Sequence, residues 1–281
     1  MIFLMTQFRR FIGFFRCPTI LLVVFMNASD NQSRAEDFSR SISGQLILLD
    51  GHLQTNTATG REVENQNESP ERKERSPRIR LGKKNELADV FLYVVQEKAP
   101  SNLLDELPNT VDVYFSKGVI NPPASFVVVG RQKLRLINQD GEAHNPSLKT
   151  LVGRSPILVE PLSSLRTYEF ERSEPQPCPI RCEIHATEQS WILAVDHPWV
   201  SISDADGKFS IEHLPSKQIE LRVFHENCGI IKCPNSKDGK WYVDLSQKSV
   251  DLESVKITFP GSNTSGSKTA PTLESKSIRD P

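Results

Sequence analysis

Short apolar runs separated by polar turn residues dominate the middle of the chain. Most runs are four to seven residues long, rich in β-branched and aromatic residues, and bounded by Gly, Pro, Asn or Asp, which is the pattern of β-strands. No segment keeps a helical period of 3.6 residues over three turns. The strands predicted from this pattern cover residues 45–49, 89–95, 111–115, 125–129, 134–137, 157–159, 168–171 and 191–195.

A second group of short strands begins near Trp199. It holds about five strands in roughly 60 residues, which is small for independent stability, so we expect it to pack on the first group. Asp-Gly pairs at 50–51, 140–141, 206–207 and 238–239 supply hairpin turns, because glycine accepts a positive φ at no steric cost. The pattern therefore predicts an all-β chain: a Greek-key β-sandwich followed by a small β-sandwich module.

The amino terminus has the pattern of a secretory signal peptide. Arg9, Arg10 and Arg16 precede an uncharged apolar run over 18–26, and small and polar residues follow it. A retained membrane anchor is the alternative, but nine apolar residues are too few to cross a bilayer. We therefore predict a leader at 1–28, no membrane span after its cleavage, and a periplasmic or secreted protein.

Composition shifts divide the rest of the chain. We expect a flexible stretch at 29–43, the first sandwich at 44–198, a polar insertion within it at about 54–86, and the second module at 199–259. The polar, Gly- and Ser-rich residues 260–281 are predicted to be disordered. The 34 basic and 35 acidic residues give a net charge of −1, so no global charge attracts nucleic acid.

One constellation of residues carries metal chemistry. His144 follows a predicted strand and lies on a loop, and Cys182 and His185 form a Cys-x-x-His turn between strands. Two imidazoles and one thiolate at one end of a β-sandwich form the trigonal donor set of a blue-copper centre. Thiolate sulfur favours Cu(I), imidazole suits both oxidation states, and a rigid sheet limits reorganisation on electron transfer.

At these residues the chain resembles the cupredoxin superfamily, the plastocyanin-like copper proteins. More closely, it resembles exported bacterial cupredoxin-like proteins sometimes labelled methylamine-utilisation proteins. The resembling residues are 87–93, 136–145, 182–185, 196–200 and 224–226, and the likeness covers about residues 43 to 230. The resemblance implies His144, Cys182 and His185 as equatorial copper ligands, a redox partner protein, and a carboxypeptidase-regulatory-like module after residue 196.

The residue at the axial position differs from that of the resembling proteins, which place Met three to five residues after the second His. Here those positions hold Glu188, Gln189 and Ser190, and all three methionines of the chain lie within the predicted leader. A glutamine serves as a weak axial ligand in some blue-copper sites, which makes Gln189 the axial candidate. Glu188 is the harder, anionic alternative, and a site without metal is the third.

The cysteines leave further alternatives open. Cys178 precedes Cys182 by four residues, so the two could form a disulfide, or they could form a two-cysteine, two-histidine zinc site with the histidines. Cys228 and Cys233 are the candidate pair for a disulfide that closes a small loop.

The chain has no nucleophile elbow, HExxH motif or phosphate loop, so we expect no enzyme. The alternative to a copper protein is a metal-free structural or binding β-sandwich of the cell envelope.

Overall fold

A computed structural model describes residues 38–49, 79–95, 99–153, 165–215, 218–231, 239–259 and 272–275. One short helix, α1 (Ser101–Asp105), accompanies the strands of this part of the chain. The strands are β1 (Arg40–Leu48), β2 (Phe91–Val94), β3 (Thr110–Ser116), β4 (Val119–Asn121), β5 (Ala124–Val128), β6 (Lys133–Asn138), β7 (Pro146–Leu148), β8 (Leu165–Tyr168), β9 (Cys178–Cys182), β10 (Gln189–Val195), β11 (Val200–Ile202), β12 (Lys208–Leu214), β13 (Gln218–His225), β14 (Gly229–Ile230), β15 (Trp241–Asp244), β16 (Ser249–Thr258) and β17 (Thr272–Ser275).

The strands form four sheets. Sheet I has the order β12-β1-β16-β17, and sheet II has β11-β2-β13-β14 with β15 also paired to β13. Sheet III has β5-β10-β9-β7, and sheet IV has β4-β3-β6-β8. The prediction of an all-β chain built as β-sandwiches is confirmed.

Three apolar layers join the four sheets. One layer packs sheet I against sheet II, a second packs sheet II against sheet III, and a third packs sheet III against sheet IV. The inner sheets are therefore covered on both faces. In β2, Leu92 and Val94 enter the first layer while Phe91 and Tyr93 enter the second. A strand buried on both faces needs apolar residues at consecutive positions, which explains why 91–94 shows no alternation.

The strand pairing of the described residues crosses the predicted boundary between the first sandwich and the trailing module. Strand β1 pairs in parallel with β16, and β2 pairs with β11 and β13, so the amino-terminal strands belong to the sandwich of sheets I and II. Strands β3 to β10 build sheets III and IV and are inserted between β2 and β11. Apolar pattern alone cannot decide this, because it does not say which strands pair.

Strands also extend into the two stretches that were expected to be flexible or disordered. Strand β1 begins at Arg40, inside the stretch expected to be flexible up to residue 43, because Ile42 is fully buried in the first layer. Residues 272–275, expected to lie in a disordered tail, pair antiparallel with β16. The predicted leader, the strand at 157–159 and most of the polar insertion lie outside the described residues.

The Asp-Gly pair at 206–207 does not close a hairpin. It carries the chain from β11 in sheet II to β12 in sheet I. Gly207 has φ +70°, and a Cβ at this position would lie 2.5 Å from the backbone oxygen of Leu46. Glycine is therefore required here both for the backbone conformation and for the close approach of β1.

Two buried histidines predict a loss of stability in mild acid. Burial lowers the pKa of His225 to about 4, and burial also lowers the pKa of His197. Below about pH 6.5 these histidines bind protons in the unfolded chain, whereas the buried imidazoles of the folded protein stay neutral. The stability present above pH 6.5 is therefore expected to fall as the pH approaches 4, by roughly 3 kcal/mol for His225.

Urea unfolding at pH 7 and pH 4.5 tests this prediction. His225→Gln removes the titrating ring but keeps an acceptor for the Asn227 N–H, which lies 3.2 Å from His225 Nδ1. The wild-type protein should lose more stability between the two pH values than the variant. An equal loss in both proteins would show that His225 does not contribute to acid sensitivity.

Candidate metal centre

The loop between β6 and β7 places His144 through hydrogen bonds to Asp140. The Asp140 carboxylate accepts the backbone N–H groups of Lys117 at 2.7 Å and Glu142 at 2.9 Å, and its Oδ1 lies 3.0 Å from His144 Nε2. The N–H groups of Glu142 and Lys117, followed by His144, lower the pKa of Asp140 to about 2. Asp140 is therefore a fixed carboxylate that orients the imidazole, and it was not predicted from the sequence.

The connection from β9 to β10 places the other donors. Cys182 is the last residue of β9, and its N–H donates to the Glu188 carbonyl at 3.2 Å. The Glu188 N–H donates to the His185 carbonyl at 3.1 Å, and the Glu183 N–H donates to the Asn145 carbonyl at 2.8 Å. These bonds close the turn and tie it to the His144 loop, so donors 38 to 44 residues apart in the chain meet.

Four donor atoms face one another in this cluster. His185 Nδ1 lies 3.3 Å from His144 Nδ1 and 3.6 Å from Cys182 Sγ, and Cys182 Sγ lies 4.0 Å from His144 Nδ1. Glu188 Oε2 lies 2.9 Å from His144 Nδ1 and 3.3 Å from His185 Nδ1. A four-coordinate ion with bonds of 2.0 to 2.3 Å needs donors about 3.3–3.6 Å apart, and the separations of 2.9 to 4.0 Å found here lie around these values.

The electrostatics of the cluster also fit a cation. When Asp140 accepts the Nε2–H of His144, the Nδ1 atom presents a lone pair to the other donors. Burial opposes protonation of His144, but Asp140 and Glu188 together outweigh it and raise its pKa. Glu188 is fully buried, and its Oε1 has no hydrogen-bond partner in the described part of the chain. A bound cation would offset this concentration of negative charge and lone pairs.

The axial candidate from the sequence, Gln189, does not join the cluster. Gln189 pairs with Arg181 across β9 and β10, so it shares the face of Arg181, and the side chain of Cys182 lies on the opposite face. Its Oε1 accepts a hydrogen bond from Arg181 Nε at 2.9 Å, and its Nε2 donates to Glu226 at 3.2 Å. The structure places the neighbouring residue, Glu188, beside the two histidines instead.

Cys178 cannot compete for Cys182 or add a second thiolate. Both residues lie on one straight strand, four positions apart, which separates their Cα atoms by about 13 Å. A disulfide needs Cα atoms within about 7 Å, and neither cysteine is in a disulfide in the described part of the chain. The disulfide and the two-cysteine zinc site considered for Cys178 are therefore wrong. Burial raises the pKa of the Cys178 thiol to about 12, so this residue is an inert part of the core.

The second cysteine pair stays a prediction. Cys228 lies after β13 and is half-buried, and burial raises the pKa of its thiol to about 12. Cys233 lies outside the described residues. Its pairing with Cys228 is therefore neither placed nor excluded by the geometry.

One residue of the cluster, His185, reaches the protein surface. The side chains of His144 and Glu188 are fully buried and Cys182 is buried, whereas the His185 side chain is 30% exposed. Its Nε2 edge faces the solvent near Glu142 Oε2, 3.7 Å away.

Within the described part of the chain, no helix is long and apolar enough to cross a membrane.

Solved structures that are similar to part of this chain include several amicyanins. Amicyanin from Paracoccus versutus (Thiobacillus versutus) is 14% identical over 37% of this chain and 96% of its own length, with a TM-score of 0.24. A reduced amicyanin variant is 15% identical over 37% of this chain and 97% of its own length, with a TM-score of 0.25. No family model and no curated protein matches the chain.

Proposed function

We propose that the protein binds one copper ion through His144, Cys182 and His185, with the Glu188 carboxylate as the fourth donor. The observation that carries this proposal is the convergence of four donor atoms within 4.8 Å of one another. Two imidazoles and one thiolate are the donor set of blue-copper sites, and thiolate sulfur selects for copper over harder ions.

The proposed role is electron transfer or copper carriage, without conversion of a substrate. Bound copper would supply a one-electron couple between Cu(I) and Cu(II). The chain supplies a rigid donor set: Asp140 fixes the His144 ring, β9 fixes Cys182, and the turn at 183–187 fixes His185. The exposed edge of His185 is the proposed point at which a redox partner protein docks.

We also propose that the protein acts outside the cytoplasm, in the periplasm or as a secreted protein. The support is the pattern of residues 1–28, in which basic residues precede a short apolar run and small residues follow it. Cleavage of this leader would remove all three methionines of the chain. The mature protein would then have no thioether to offer, which makes the carboxylate of Glu188 the donor that completes the site.

Copper addition to the purified, leader-free protein tests the proposal. We expect one retained copper per chain and an intense thiolate-to-copper band in the visible spectrum after Cu(II) is added. A parallel titration with Zn(II), which gives no such band, shows which of the two ions the donor set prefers. No retained copper and no band would overturn the proposal and would favour the metal-free binding scaffold of the cell envelope.

Replacing Glu188 with glutamine is expected to raise the reduction potential of the bound copper. The buried carboxylate favours Cu(II) over Cu(I), because it compensates the higher charge of the oxidised ion. A tenfold change in that preference corresponds to about 59 mV for a one-electron couple, and we expect Glu188→Gln to shift the potential upward by at least this amount.

Glu142→Gln is the matched control for this measurement. Its carboxylate lies 3.7 Å from His185 Nε2 but its side chain is 71% exposed, so water screens its charge. Spectroelectrochemistry of both variants should give a clearly larger shift for Glu188→Gln. Equal shifts would show that Glu188 acts only through its charge at a distance and is not a ligand.

A further inference from the structure

The carboxylate of Glu188 reaches the metal cluster because of its place on the backbone. Its Oε2 lies 2.9 Å from His144 Nδ1 and 3.3 Å from His185 Nδ1, and its Oε1 has no hydrogen-bond partner in the described part of the chain. Apart from the two imidazoles, no side chain of that part therefore holds the carboxylate. Its direction follows from the register of residue 188 at the end of the β9–β10 strand pair.

Gln189, the first residue of β10, marks this register. It pairs with Arg181 of β9, and beyond this pair the Cys182 N–H donates to the Glu188 carbonyl at 3.2 Å. Residues that face each other in an antiparallel pair point to the same side of the sheet, so Glu188 lies on the side of Cys182. A slip of the pairing by one residue would turn Glu188 to the opposite side.

The side-chain amide of Gln189 is bonded at both of its polar atoms. Its Oε1 accepts from Arg181 Nε at 2.9 Å, and its Nε2 donates to Glu226 Oε2 at 3.2 Å. A guanidinium only donates and a carboxylate only accepts, so a neutral amide, which has a donor and an acceptor, bonds both at once. Both partners are charged, which strengthens these hydrogen bonds. Leucine at this position would bond neither partner.

Glu226 joins this end of β10 to the neighbouring sandwich. It follows β13 of sheet II, and its Oε2 also accepts the Nε1–H of Trp191 at 2.7 Å. The Trp191 ring packs against Phe224 of β13, with centroids 5.2 Å apart. Gln189 and Trp191 are two positions apart on β10 and so share one face. Sheet II therefore contacts the strand at both positions.

We infer that Gln189 is a positioning residue for the metal centre: its hydrogen bonds to Arg181 and Glu226 hold the register that directs the Glu188 carboxylate to the two histidines. The inference rests on the proposed copper function, in which Glu188 is the fourth donor. Gln189 acts on the metal through its neighbour, without contact of its own. Sheet II, which holds none of the four donors, then contributes to the metal site through Glu226.

A double-mutant cycle on the reduction potential of the bound copper tests this inference. Gln189→Leu removes both hydrogen bonds at a similar side-chain size, and we expect it to raise the potential by at least about 59 mV, which corresponds to a tenfold weaker preference for Cu(II). In a chain that already carries Glu188→Gln the carboxylate is gone, so adding Gln189→Leu should change the potential little. Two shifts that add would show that Gln189 acts independently of Glu188 and would overturn the inference.

Gln45→Leu is the matched control for the cycle. The Nε2 of Gln45 on β1 donates to the Asp206 carbonyl at 2.8 Å, but this residue lies in sheet I, and its replacement should leave the potential unchanged. A shift for Glu188→Gln without one for Gln189→Leu would overturn the inference and leave the copper proposal intact. A wild-type protein that retains no copper would instead overturn the proposed function.

Amide hydrogen exchange in the metal-free protein supplies a measurement that needs no copper. The Cys182 N–H is protected by its bond to the Glu188 carbonyl, and it should exchange at least tenfold faster in Gln189→Leu and at the wild-type rate in Gln45→Leu. The Leu46 N–H in sheet I reports on the fold as a whole and should keep its rate in Gln189→Leu. An unchanged rate at Cys182 would overturn the inference, whether or not the protein binds copper.

A second pair of variants decides the case in which Gln189→Leu weakens the whole fold. Gln189→Glu keeps the size of the side chain and the acceptor for Arg181, but it places a carboxylate against Glu226, so exchange at Cys182 should again be faster. Adding Glu226→Gln to the same chain restores a donor opposite an acceptor and keeps an oxygen that accepts from Trp191. The wild-type exchange rate should then return, and failure of this rescue would overturn the inference.

Discussion

Cys182→Ser is expected to abolish the visible charge-transfer band of the copper-loaded protein and to lower copper affinity by at least tenfold. Among the described residues, Cys182 is the one thiol within reach of the two imidazoles, with its Sγ 3.6 Å from His185 Nδ1. A serine hydroxyl is a hard, neutral donor that cannot supply the thiolate-to-copper transition and binds Cu(I) poorly. Visible absorption and copper titration of the variant measure the two effects.

Cys178→Ser is the matched control, because it makes the same change on the same face of the same strand. Cys178 lies about 13 Å along β9 from Cys182, and its sulfur is surrounded by the core between sheets III and IV. The control should keep the band and the copper stoichiometry at a small cost in stability. If both variants lose the band together, the loss reflects damage to the fold and Cys182 is not the ligand.

Phe115→Ala is expected to destabilise the protein by about 3–5 kcal/mol and to weaken metal binding as well. Phe115 on β3 is fully buried. Removal of a buried phenyl ring loses its apolar burial and leaves a cavity, which together lower the free energy of unfolding by this amount. The ring also packs against His144, with centroids 5.4 Å apart. Loss of such support for a ligand typically lowers metal affinity by about tenfold or more.

Phe170→Ala separates the two effects. Phe170 lies in the same apolar layer, but its ring packs against Tyr168, at 4.9 Å, instead of against a ligand. Urea unfolding of the metal-free variants should show a large loss for both. Copper titration under native conditions should show the weaker affinity for Phe115→Ala alone, and equal affinities would contradict a supporting role of Phe115.

The sequence could predict three of the four residues of the cluster because each lies in a recognisable local motif. His144 follows a strand, and Cys182 and His185 share one turn, so their spacing is visible without a structure. The choice between Glu188 and Gln189 was not visible, because it depends on strand register. Gln189 lies opposite Arg181, and a shift of one residue would have exchanged the faces of the two side chains.

Asp140 could have been found from its local sequence. Aspartate followed by glycine commonly caps a turn by accepting backbone N–H groups, and here it accepts that of Glu142 two residues later. The way the strands are shared between the two sandwiches was not visible in the sequence, because β1 and β2 pair with strands that follow residue 199.

The insertion of β3 to β10 between β2 and β11 has a consequence for the order of folding during synthesis. Strands β1 and β2 leave the ribosome before any of β11, β13 and β16, with which they pair across gaps of more than 100 residues. Sheets III and IV, by contrast, are complete in the chain by Val195. Since contacts that are close in sequence form first, the sandwich of sheets III and IV should assemble before β1 and β2 pair with their later partners. These two apolar strands stay exposed the longest, so they are the segments that most need a chaperone. The inserted strands are enclosed once β2 pairs with β11, as Tyr93 does with Val200.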